Sequence, residues 1–97
     1  MKHAGLDTLR QLESLLNRLR AVPGLVERKP GAFYLRSSAF LHFHEDPTGI
    51  YADAKLDGSS FERRQLRTAA DQSSLLKAVS ADAAHSRKSK GDRGAVE

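Results

Sequence analysis

The 97-residue chain contains no cysteine. That removes thiol nucleophiles, disulfide staples and thiolate metal sites at once. No apolar run approaches the roughly twenty residues that a bilayer-spanning helix needs, so no membrane partner is expected. No uninterrupted apolar stretch follows Lys2 and His3, so no secretory signal is read and a cytoplasmic location is the expectation. A Gly-rich phosphate loop is missing: Gly58-Ser59-Ser60 follows one strand-like run but leads into another instead of a helix. No serine is placed beside a base, so a hydrolase triad has no support. Internal repeats are absent too.

What remains suits one small folded unit. A hydrophobic share of 39% against 29% charged residues places the chain among soluble globular proteins. Residues 84–97 hold almost no large apolar side chain to offset the entropy of ordering, so they read as a disordered basic tail. Residues 1–83 then form a single domain, whose small core leaves no room for a deep substrate cavity. The net charge of +4 is spread out: residues 1–79 carry twelve positive and nine negative groups, and residues 80–97 carry four and three. Such a surface attracts phosphates without singling them out.

Leu9, Leu12, Leu16 and Leu19 recur at helical spacing, with Leu15 beside them, and predict an amphipathic helix from Leu6 to Val22. Asp7 is its expected N-cap, and Pro23-Gly24 stops it. Leu25-Val26 starts a strand-like run that Pro30-Gly31 interrupts. Four alternating runs follow, at Ala32 to Arg36, Ala39 to Glu45, Ile50 to Leu56 and Phe61 to Leu66, with turn formers between them. Connections this short make consecutive strands antiparallel neighbours. Thr68-Ala-Ala-Asp71 resembles a capping box, opening a helix whose apolar positions are Leu75, Leu76, Val79 and Ala83. The expected fold class is therefore α+β: a four-stranded antiparallel meander, both helices packed on one sheet face, in the order α-β-β-β-β-α.

The densest chemistry lies on the hairpin Ala39 to Leu56, where His42, His44, Glu45 and Asp46 cluster before the turn Asp46-Pro47-Thr48-Gly49. Register decides what that cluster is. If Glu45 pairs with Ile50, Leu41 and Phe43 join the alanines on the core side, while Phe40, His42 and His44 point to the open face and His42 meets Asp53. If Asp46 pairs with Ile50, both histidines turn into the core. Amphipathicity favours the first arrangement. There, His42, His44 and Asp53 offer two imidazoles and a carboxylate to a divalent metal such as zinc, with Glu45 or Asp46 nearby. The simpler reading is a solvated strand face.

A second chemistry competes for the same face. Arg63, Arg64 and Arg67 make a modest basic patch, joined across the sheet by Arg36 and Lys55, with Tyr34 and Tyr51 as aromatic platforms. Stacking plus phosphate contact is how open sheets bind single-stranded DNA or RNA. The competing reading is a charged edge that blocks strand-to-strand association.

Val22-Pro-Gly-Leu-Val-Glu27 after an amphipathic helix, then short strands with a Phe-rich hairpin and a closing helix, resembles the MmcQ/YjbR-like group of small bacterial proteins. That likeness spans residues 9–79 and implies an α+β fold and a DNA contact of the double-wing kind. The hairpin Phe40-Leu-His-Phe-His-Glu45 also resembles one in bacterial proteins described as luciferase-like. Neither resemblance brings a catalytic residue. The leading expectation is a small non-catalytic binding or regulatory module that contacts nucleic acid or a protein through its open sheet face. The alternative is a metal-binding protein or metal-dependent enzyme using the His-x-His pair.

Overall fold

The computed structural model describes residues 1–56, 58 and 60–85 in full, and the backbone course of 57 and of 86–96. The chain runs β1 (Lys2–His3), α1 (Leu6–Gln11), α2 (Glu13–Arg20), β2 (Leu25–Lys29), β3 (Ala32–Leu35), β4 (Ser38–Asp46), β5 (Gly49–Ala54), a 3-10 turn (Leu56–Gly58), β6 (Glu62–Gln65) and α3 (Ala69–Val96). The strands form one antiparallel sheet in the order β2-β3-β4-β5-β6, and β1 adds to β4 beside the end of β3. Among the described residues, no helix is long and apolar enough to cross a membrane.

The α+β class and the antiparallel sheet hold, but the expected four-stranded meander is a six-stranded sheet. Leu25–Lys29 is a full edge strand that turns at Pro30-Gly31 onto β3. The strand at Lys2–His3 went unforeseen because two residues show no periodicity; pairing with His44 and Glu45 makes it a strand. The expected single helix is two, broken at Leu12 (φ −96°, ψ 10°), although both halves keep the leucine stripe on the core. The first N-cap is Gly5 instead of Asp7. Glu45 explains the shift, since its carboxylate accepts the Gly5 N–H at 2.6 Å and fixes the chain where it leaves β1.

Helix leucines and one sheet face make the core. Leu12, Leu16 and Leu19 meet Phe33, Leu41, Phe43, Ala52 and Ala54 from one side, with Leu75, Val79 and Ala83 closing it from α3. The Thr68/Asp71 capping box is real: Asp71 N–H donates to Thr68 Oγ1 at 3.1 Å, and the Asp71 carboxylate accepts the Thr68 N–H at 3.1 Å. Helix α3 continues through Ala84 and His85; the remainder of the tail expected to be disordered lies outside the fully described residues.

Phe40 departs from the period-two reading. It is 4% exposed and belongs to the core instead of the open face. The cause is an irregularity in the β3–β4 ladder, where Phe33 pairs with Leu41 but Tyr34 with Ala39. The extra residue, Phe40, slips the alternation by one and turns its ring inward.

The hairpin register is the one amphipathicity favours. His42 pairs with Asp53, His44 with Tyr51 and Glu45 with Ile50, and the ladder extends one step further to Asp46 and Gly49. Pro47-Thr48 is the resulting two-residue loop. Asp46 secures it by accepting the Thr48 N–H at 2.8 Å.

Candidate functional site

Three histidines meet on the sheet face away from the helices. His42 and His44 come from β4, two residues apart and therefore on one side of the strand. His3 joins them because β1 pairs it directly with His44. One nitrogen from each ring lies within 4.8 Å of the others. The His3 ring stacks on His44 at 4.7 Å between centroids, and His42 meets His44 edge-on at 4.8 Å. Phe61 closes the far side, its ring 5.0 Å from that of His42.

Asp53 fixes the orientation of His44. Its carboxylate lies 3.3 Å from His44 Nε2, and His42 Nδ1 sits 2.9 Å from the same nitrogen. The 2.9 Å contact carries one proton, on either nitrogen according to the tautomer; with it on His44 Nε2, that N–H also faces the Asp53 carboxylate. In that tautomer Nδ1 of His44 is left as a lone pair, and the atom is buried with no partner among the described residues. Buried polar atoms are normally satisfied. A carboxylate behind one ring nitrogen and a free lone pair on the other is the arrangement that orients a metal-binding imidazole.

Arg63 in turn holds Asp53. The guanidinium donates from Nε and Nη2 to the two carboxylate oxygens, each at 2.8 Å. This paired bond is the first cause that holds the Asp53 carboxyl below the usual carboxylate range. Asp53 is 7% exposed and stays ionised with its charge matched. Burial, and then the neighbouring His44, push the His42 imidazole below its ordinary value, which favours the neutral ring that a metal requires.

The expected metal set of His42, His44 and Asp53 is thus brought together, but in different roles. Asp53 supports from behind, and His3 is the third imidazole. Glu45 is engaged by Gly5 N–H and the Thr8 side chain, and Asp46 by Thr48, so the other carboxylates near the turn serve the fold. His3 could not be found from spacing; the only sequence signal was a histidine two residues from the first position of a chain with four histidines in all.

Of the residues expected to form a basic and aromatic contact surface, Tyr51 and Arg63 share the histidine face, and each has its own partner. Arg63 is paired with Asp53, while Arg64 follows it in β6 opposite Ala52, on the alternate face, and bonds Glu62 at 3.1 Å. Tyr51 contacts Thr48 through its hydroxyl at 2.6 Å. Tyr34 lies under the Arg28 guanidinium at 4.6 Å. Lys55 sits 5.7 Å over the Phe61 ring beside the histidines. Arg36 stands at a tight turn with φ 54°, one wall of a recess of about 440 Å³ that also touches Lys55 and His85. A second recess, of about 340 Å³, opens next to His3 and His42.

Comparison of the chain with protein-family models, with curated proteins and with solved structures gives no match.

Proposed function

We propose that the protein binds a divalent transition-metal ion through His3, His42 and His44. The observation that carries this reading is the convergence of three imidazoles from two paired strands, one of them with a buried nitrogen, His44 Nδ1, that has no partner among the described residues. Neutral imidazole nitrogens suit zinc, copper, nickel and iron(II), and suit calcium and magnesium poorly. Zinc–nitrogen bonds of about 2.0–2.1 Å set tetrahedral ligand separations of about 3.3 Å. Closing the 4.8 Å span therefore asks for roughly 1.5 Å of side-chain movement. His3, exposed on a two-residue strand, is the ring best able to supply it.

The bound metal would supply Lewis acidity at the open sheet face. The chain's own groups orient it: Asp53 holds His44, Arg63 holds Asp53, and Phe61 shields His42 on one side. These groups hold and orient the ion, so the reading is of a binding module.

Zinc titration followed by histidine ring NMR tests this. Resonances of His3, His42 and His44 are expected to move together up to one equivalent, while His85 on α3 stays in place. Uptake in which only one ring responds, or in which His85 responds equally, contradicts the reading.

A further inference from the structure

We propose that the metal held by His3, His42 and His44 takes as its further ligand the anionic head of a small organic molecule, whose apolar body occupies the recess between β1 and β3. This inference rests on the metal reading above and names the ligand class of that same site.

Charge is the first argument. Three neutral imidazoles leave the two positive charges of a divalent ion uncompensated. The carboxylate that contacts the cluster among the described residues, Asp53, is matched by Arg63 through both oxygens. Glu45 and Asp46 are held by the backbone and hydroxyl groups of Gly5, Thr8 and Thr48. An anion from outside is thus the natural partner. Three protein ligands also leave at least one position open on a tetrahedral ion.

The second argument is where that position leads. Strand β3 covers the edge of β4 as far as Leu41, and β1 with Ala4, whose N–H donates to the Phe43 carbonyl at 3.0 Å, covers it from Phe43. The interval at His42 is a gap in the sheet, and the recess of about 340 Å³ occupies it. His3 and His42 stand at the recess as well as in the metal cluster. Its floor is apolar, formed by Leu9, Phe33 and Leu41, which otherwise belong to the core between helices and sheet. Lys29 lines the same recess and adds a positive charge. Volume, apolar floor and a few polar groups at the mouth are the features of a small-molecule site.

The test uses the full chain loaded with cobalt(II), whose visible spectrum reads its coordination, and compares benzoate with acetate. Both carry the same carboxylate, but only benzoate has a body for the recess. Benzoate is expected to alter the spectrum at a concentration lower by on the order of tenfold, the factor that burying roughly 60 Å² of ring surface supplies. Ala32→Leu, which narrows the recess without touching the three histidines, should bring benzoate close to acetate and leave cobalt uptake unchanged. If that variant does not fold, the wild-type ratio alone decides. Equal response to the two anions, or a spectrum that neither alters, overturns this inference and leaves the metal reading standing. A protein that takes up no cobalt overturns both.

Discussion

Leu41 and His42 are neighbours in the chain and face opposite sides of β4. On Leu41's side the strands meet helices, and Leu41, Phe43, Ala52 and Ala54 are apolar and sealed. On His42's side the same strands carry three imidazoles, a carboxylate and an arginine, with His3 and Phe61 open to water. One face is organised by exclusion of water and the other by directed polar contacts. The lesson is that this sheet separates stability from chemistry residue by alternate residue, so substitutions one position apart should have different consequences.

The largest effect should fall on the covered face. Leu41→Ala removes a fully buried side chain from the central strand and should cost about 3–4 kcal/mol in urea denaturation, with little effect on metal uptake by the unfolding-resistant fraction. Metal should act only through the open face. Zinc at roughly 100 times its dissociation constant should stabilise the wild type by about 2.7 kcal/mol. The same zinc concentration should stabilise His42→Ala far less, as thermal melts with and without metal would record.

Asp53 joins the two regions, being buried yet aimed at the histidines. Asp53→Asn keeps the shape but loses the charge that Arg63 matches, and should cost about 1–2 kcal/mol while also weakening zinc binding. A loss of stability with zinc affinity unchanged would show that Asp53 supports the sheet alone.

The smallest effect lies away from both. Glu27 accepts the Arg20 guanidinium at 2.6 and 3.1 Å and the Gly31 N–H at 2.9 Å. The Arg20 bond, first among the causes, lowers its pKa below the ordinary 4.5. A depressed carboxyl adds stability above its unfolded value, and that contribution fades as pH falls through the folded value. The wild type should therefore exceed Glu27→Gln by less than about 1 kcal/mol at pH 7, with the difference shrinking in acid melts as the pH falls below 4.5 and vanishing below the folded value. A difference that grows in acid would reverse the assignment.

Much of the covered face was legible in the sequence. The leucine spacing, the Pro-Thr-Gly turn and the Thr68/Asp71 cap are local signals, and local signals survive folding. The hairpin register followed from the same logic, because only one pairing gives a purely apolar face. The open face was legible only in part. His42 and Asp53 could be matched across the hairpin, but His3 reaches them through a strand pairing more than forty residues away that carries no pattern of its own. Phe40 was misplaced for a related reason: the ladder irregularity beside Tyr34 depends on how two strands fit, which period-two counting does not contain. The split of Arg63 and Arg64 onto opposite faces, by contrast, is plain alternation.

The central claim is that His3 completes a three-imidazole site, and the most direct test compares zinc affinity in the wild type and His3→Ala by equilibrium dialysis. The account predicts one zinc per chain in the wild type and a loss of affinity on the order of 10- to 100-fold in the variant, a change as large as ligand-shell losses bring. Equal affinity in the two proteins would contradict it, and would return the site to the His42–His44 pair alone.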